Sequence, residues 1–144
     1  MNTPVITFKR LHEKAVLPTR AHDTDTGYDL TAVEEVTVPA RGSAVVPIGL
    51  QVASITPGYW YLIMPRSGLG FKHSIQPHLG VIDNPYRGSL DVKVYNFSDK
   101  DYTFGSGDRV AQIGFFSLIQ MKTRWSDTVE DTARGEKGFG STGN

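Results

Sequence analysis

Five short stretches of this sequence gather polar side chains and glycines closely enough to do chemistry. In DTGYDL, residues 25–30, Asp29 stands between Tyr28 and Leu30 and offers a negative charge; the same aspartate is equally a strand-end or turn residue. In PRSGLG, residues 65–70, the proline ends one element and the following residues can open a helical turn. Free N–H groups there, with the Ser67 hydroxyl and Arg66, would form a phosphate cradle; the alternative is a glycine turn with a solvated arginine. In GVIDNPYRG, residues 80–88, an apolar pair carries Asp83 to a partly desolvated place where a carboxylate can act as a base. A turn aspartate without chemistry is the plainer reading of the same pattern. GDRVAQ, residues 107–112, leads a polar pair and Gln112 into an apolar run, and Asp108 beside Arg109 reads as a structural ion pair. RGEKGFGSTG, residues 134–143, sets Phe139 among glycines with nothing in its own segment to pack against. A segment that closes over a ligand, stacking Phe139 on a flat ring while Arg134 meets phosphate, accounts for it.

These groups must be held by short strands. Gly (15) and Pro (8) interrupt the chain too often for long helices. Between them lie β-branched and aromatic runs at residues 5–8, 36–38, 44–48 and 59–64. Residues 90–95, LDVKVY, alternate apolar and polar side chains with the period of a half-buried strand. Residues 110–116 are nearly all apolar and predict a strand buried on both faces. Asn84-Pro85 and Gly88 mark a hairpin-like turn between the third stretch and the alternating strand. Many short strands at this spacing predict an all-β sandwich or barrel. The expectation is a domain of residues 1–133 and a glycine-rich tail, residues 134–144, that is mobile in the free protein.

Composition narrows the function classes. Lys+Arg is 15 and Asp+Glu is 15, so the formal net charge is zero and no global basic field exists to grip long nucleic acid. A polyanionic ligand must be held by a few concentrated cations. The absence of cysteine removes disulfides, thiol catalysis and cysteine zinc sites together. No apolar run has the length of a signal peptide or a membrane span. The expectation is a soluble intracellular protein, of cytoplasm, nucleus or a virus-infected cell, that binds neither nucleic acid directly nor membranes.

Taken in order, the five stretches resemble the five motifs of the trimeric dUTPase family. GYDL (27–30), PRSGLG (65–70), GVIDNPYRG (80–88), GDRVAQ (107–112) and RGEKGFGSTG (134–143) span nearly the whole chain. The sequence departs from the family pattern at Asp25-Thr26, where small residues are usual, at Asn84-Pro85, which replaces a more acidic pair, and at Glu136-Lys137.

The resemblance implies a distorted jelly-roll or β-barrel fold and a homotrimer with shared active sites. It also implies hydrolysis of dUTP to dUMP and pyrophosphate by Mg²⁺-assisted attack of water on the α-phosphorus. That reaction limits uracil incorporation into DNA and supplies dUMP for dTMP synthesis. Asp83 is implied as the base that takes the water's proton and as a partner of the sugar 3′-hydroxyl. Asp29 is implied as a partner of Mg²⁺ through water, and Arg66, Ser67, Gly68 and Gln112 as phosphate contacts. Arg134, Gly140, Ser141 and Thr142 would join them from the tail, with Phe139 covering the base. Uracil would lie along a hairpin through Gly80, Val81, Ile82 and Asp91, read by backbone groups, and Tyr86 would press on the deoxyribose and exclude a 2′-hydroxyl.

His12, His22, His73 and His78 lack metal-binding spacing and read as surface or loop residues, and Trp60 and Trp125 read as packing residues. Two rivals are a dCTP deaminase, which needs a catalytic glutamate to handle protons at the pyrimidine C4, whereas the acid of the third motif here is Asp83, and a nucleotide-binding regulator without catalysis.

Overall fold

The computed structural model describes residues 2–138. Its eleven elements run β1 (Ile6–Arg10), β2 (Tyr28–Thr31), β3 (Val36–Val38), β4 (Ser43–Ile55), β5 (Tyr59–Met64), α1 (Ser67–His73), β6 (Ile75–Pro77), β7 (Gly80–Ile82), β8 (Ser89–Asn96), β9 (Tyr102–Phe104) and β10 (Arg109–Ser117). All pairing is antiparallel. One four-stranded sheet has the order β1-β4-β8-β6, a second the order β2-β10-β5-β7, and β3 pairs with β9. The all-β expectation holds, and α1 is the helical turn expected after Pro65.

Alternation explains the core. Leu90, Val92 and Val94 on β8 point inward with Val46, Ile48, Leu50 and Val52 on β4, while Ser89, Asp91 and Lys93 point out. Leu30, Tyr61, Ile63, Val110, Ala111 and Ile113 supply the second sheet's contribution. Strand β4 serves two neighbours: its first part pairs with β8 and its second with β1. The ladder with β8 shifts register between Pro47 and Gln51, and Gly49 there has φ +73°, a conformation that a side chain would strain.

Tyr61 is an exception inside this core. It is fully buried, and among the described residues its Oη has no hydrogen-bond partner. Burial pushes its phenol from the ordinary value near 10 up to about 12; nearby Tyr86 adds to the rise and Arg87 opposes it. An unsatisfied buried hydroxyl costs about 1–3 kcal/mol. Tyr61→Phe is therefore expected to raise stability by about 1 kcal/mol at neutral pH. The native state holds this proton to higher pH than the unfolded chain does. Its contribution is thus complete below pH 10 and lost as pH rises from about 10 to about 12. Urea denaturation of both proteins at one concentration should show the gap widening above pH 10. A variant less stable at both pH values would mean that the hydroxyl has a partner.

Beyond β10 the chain leaves the body. Leu118 donates its N–H to Gly58 O at 2.8 Å, and residues 118–137 are exposed throughout. Ile119, Met121 and Val129 lie in this arm, and Trp125 is fully exposed. The packing role expected for Trp125 is therefore not met within one chain, because its whole segment lies off the core. Trp60 does pack, stacking on Phe116 at 5.0 Å.

Candidate active site

Strand order brings three of the five motifs together. β10 lies between β2 and β5, and Gln112 pairs with Asp29 on one side and Met64 on the other. Asp29 is thus one strand from Gln112 and two from the Pro65-Arg66 step that follows β5. Arg66 Nε lies 3.5 Å from Asp29 Oδ1, and Arg109 Nε lies 3.8 Å from Asp29 Oδ2. Gln112 Nε2 donates to Pro65 O at 2.9 Å, and its side chain crosses directly over Gly27. A Cβ at Gly27 would sit 1.8 Å from Gln112 Oε1, so the glycine of the first motif makes room for the glutamine of the fourth. Arg66 itself is the N-cap of α1 in extended conformation, with Ser67 and Gly68 exposed in the first turn and no acidic residue there to repel an anion. The result is a half-open corner with two guanidinium groups, one carboxylate, a side-chain amide and a helix start.

Arg109 belongs to this corner, although its sequence context suggested a pair with Asp108. Asp108 Oδ2 instead accepts the N–H of Gly105 at 2.7 Å. The β2–β10 register shifts between Arg109 and Ala111, and this bulge breaks the strict alternation that would set positions 109 and 112 on opposite faces. The polar pair at the head of an apolar run was the available signal, and only the bulge directs its arginine to Asp29.

The third motif lies elsewhere. Ile82 pairs with Tyr61 and Gly80 with Ile63, so β7 runs back along β5 and delivers Asp83 beside the start of β5. Asn84 confirms the position, its Nδ2 donating to Tyr59 O at 2.8 Å and Thr56 O at 3.1 Å. Arg66 follows the other end of β5. At roughly 3.3 Å per residue, about 20 Å of strand separates the Asp83 turn from the Asp29 corner. Asp83 is exposed in the single chain, contrary to the partly desolvated place expected for it. β7 is an edge strand, and Val81 (63% exposed) points outward, so the apolar pair does not draw the carboxylate inward.

The expected hairpin through residues 80–91 is also not a closed one. Its base is paired: Pro77 faces Val94, and His78 donates its N–H to Lys93 O at 2.7 Å. At Gly80 the arms part, β7 joining β5 in one sheet while β8 stays with β4 in the other. Among the described residues the facing edges of β7 and of β8 at Ser89 and Asp91 have no strand between them. Tyr86 folds over its own turn, with its ring against Gly88 and its Oη donating to Ser89 O at 2.9 Å. Ser89 Oγ donates to Asp91 Oδ2 at 3.1 Å.

Arg134 Nε donates to Lys137 O at 2.6 Å, a bond within its own segment. Phe139, Gly140, Ser141 and Thr142 lie outside the described residues. The histidines hold no metal-binding arrangement: among the described residues no three His, Asp or Glu side chains gather to hold an ion, and His73 and His78 lie against Tyr102 and Tyr95.

Known proteins resemble this chain along nearly its whole length. A family model described as dUTPase matches residues 13–143. The deoxyuridine 5′-triphosphate nucleotidohydrolase of Oryza sativa subsp. japonica is 45% identical over 140 residues, covering 97% of this chain and 81% of that protein. Among solved structures, the Staphylococcus bacteriophage 80alpha dUTPase with dUPNHPP superposes with a TM-score of 0.86 at 29% identity, covering 100% of both chains. A mutant dUTPase from phage phi11 of S. aureus, described for the coordination of a structural Mg(II) ion, has a TM-score of 0.77 at 26% identity, covering 90% of this chain and 100% of its own.

Proposed function

The chain belongs to the dUTPase family, enzymes that hydrolyse dUTP, and from that premise we propose how its residues divide the reaction. The observation that carries the reading is the meeting of Asp29 and Gln112 on neighbouring strands with Arg66 at the start of α1. Arg66, Gln112 and the exposed Ser67-Gly68 turn hold the triphosphate, with charge-assisted bonds from the guanidinium and N–H groups from the helix start. Arg134, Gly140, Ser141 and Thr142 add phosphate contacts from the tail, 134–144, which serves the domain of residues 1–133.

Mg²⁺ fits this donor set through water. Asp29 faces two guanidinium groups, and among the described residues no three His, Asp or Glu side chains gather to form a protein cage. Asp29 and the triphosphate oxygens would hold the ion, which neutralises phosphate charge and assists attack at the α-phosphorus.

Asp83 takes the proton of the attacking water on its carboxylate and accepts a hydrogen bond from the sugar 3′-hydroxyl. Pyrophosphate leaves and dUMP remains. Uracil enters the fork where β7 and β8 part. The free edge of β7, formed by backbone groups within Gly80, Val81 and Ile82, reads the donor and acceptor order of the base, with Asp91 on the other arm of the fork. Tyr86 covers the deoxyribose and leaves no room for a 2′-hydroxyl, and Phe139 closes on the base. The reaction keeps uracil out of DNA and yields dUMP for dTMP synthesis.

The two halves of this site lie about 20 Å apart in one chain, so a second copy must supply the missing half. A homotrimer with shared sites meets that need. The arm supports it: Ile119, Met121, Trp125 and Val129 are exposed, and a cavity of about 480 Å³ lined by Val5, Ile6, Phe8, Tyr28 and Phe115 lies beside the free edge of β1. An arm from another copy would fill it. Among the described residues no helix is long and apolar enough to cross a membrane.

Pyrophosphate release with Mg²⁺ and dUTP, dTTP, dCTP or UTP tests the assignment. Turnover of dUTP alone is expected, with UTP and dTTP at least about 10²-fold poorer in kcat/KM. Ammonia release from dCTP would establish the deaminase rival, and binding of dUTP without hydrolysis would establish the regulator.

A further inference from the structure

The turn that carries Asp83 is held to the body by groups that the reaction does not use. Asn84 spends both hydrogens of its amide, donating to Tyr59 O at 2.8 Å and Thr56 O at 3.1 Å. These carbonyls flank the turn joining β4 to β5. The Asn84 carbonyl accepts from Arg87 Nη1 at 2.6 Å, and the same nitrogen reaches Tyr86 O at 2.9 Å. Gln51 Nε2 donates to Arg87 O at 2.5 Å, and the Tyr86 N–H closes the turn on Asp83 O at 3.1 Å. Pro85 fixes its own φ and stiffens the turn directly after Asn84. The Asp83 carboxylate makes no hydrogen bond of its own among the described residues, so its place is set by the turn alone.

We propose that Asn84 is a positioning residue: its two donated hydrogen bonds clamp the turn to the β4–β5 connection and so fix the reach of the Asp83 carboxylate. An acidic residue cannot do this. A carboxylate is an acceptor only, and at this spot it would face two carbonyl oxygens. The departure from the acidic pattern at Asn84-Pro85 is therefore a different way of holding the turn. Pro85 stiffens the chain and Asn84 ties it down.

The proposal rests on the reading of Asp83 as the base, and a double-mutant cycle separates the two. Asn84→Ala and Asn84→Asp would each be made alone and in an Asp83→Asn background, with kcat, KM for dUTP and thermal midpoint measured for all. Each single variant at position 84 is expected to lose about tenfold in kcat with KM within about twofold, inside the ~10²-fold that an ångström of misplacement can cost. In the Asp83→Asn background the same substitutions should change kcat by less than about twofold, because the group they position no longer takes a proton. Equal losses in both backgrounds would overturn the proposal, since a merely structural residue acts the same way in each. Wild-type kcat in both single variants would overturn it too. Asn84→Asp keeps the size of the side chain, so it answers the question if Asn84→Ala does not fold. Full activity of Asp83→Asn would instead overturn the assignment of the base.

Discussion

Asp83→Asn is expected to lower kcat by about 10²–10⁴-fold, the range that a positioned general base contributes. The substitution preserves the size of the side chain and one of its oxygens, and removes the capacity to take a proton from water. KM for dUTP should move only a few-fold, because the proposed phosphate contacts, Arg66 and Gln112, lie at the Asp29 corner and are unaltered. Thermal stability should not change. Asp83 is exposed, and among the described residues its carboxylate makes no hydrogen bond whose loss could loosen the fold. That combination makes the test sharp, since lost turnover could not be ascribed to lost structure. Pyrophosphate release gives kcat, and calorimetric titration with a non-hydrolysable dUTP analogue gives the binding that should survive. Near-wild-type turnover would remove Asp83 from the mechanism.

The exposure of Asp83 also shows where reading from sequence reached its limit. Strands were legible from local composition and period: the β-branched and aromatic run at residues 59–64 coincides with β5, and the alternating LDVKVY falls inside β8. Local period carries that information, because each side chain's face follows from its neighbours two residues away. The site depends on relations that period does not carry. Asp29 and Arg66 meet because β10 inserts between β2 and β5, and nothing in residues 25–30 or 65–70 announces the strand order. Arg109 turns to Asp29 through a bulge, so its neighbour Asp108 was the wrong partner to expect. The hairpin signal at Asn84-Pro85 and Gly88 was right about a turn. It could not show that the two arms would be claimed by different sheets. Trp125 misled for a related reason: an aromatic side chain predicts burial without saying in which chain.

The Asp83 turn and the Asp29 corner, toward opposite ends of β5, lead to the second large effect. Arg66→Ala removes the proposed phosphate clamp and one of the two guanidinium partners of Asp29, and should cost about 10²–10³-fold, as the loss of one preorganised donor to developing charge does. Alone, it and Asp83→Asn should both be nearly inactive. Mixed in equal amounts, unfolded together and refolded, they are expected to recover about a quarter of wild-type activity. In the proposed assembly each shared site takes its Arg66 half from one copy and its Asp83 half from another, and each half is intact in one of two draws. The arm is unaltered in both variants, so assembly should proceed as in the wild type. A site lying wholly within one chain gives the opposite result, since every site in the mixture would carry one lesion and activity would stay at the level of the separate variants. A single chain carrying both substitutions, refolded with wild-type chain, supplies the control. There too only sites with both halves from wild-type copies work, and the recovered fraction again falls to about a quarter, against about a half if each chain had a site of its own.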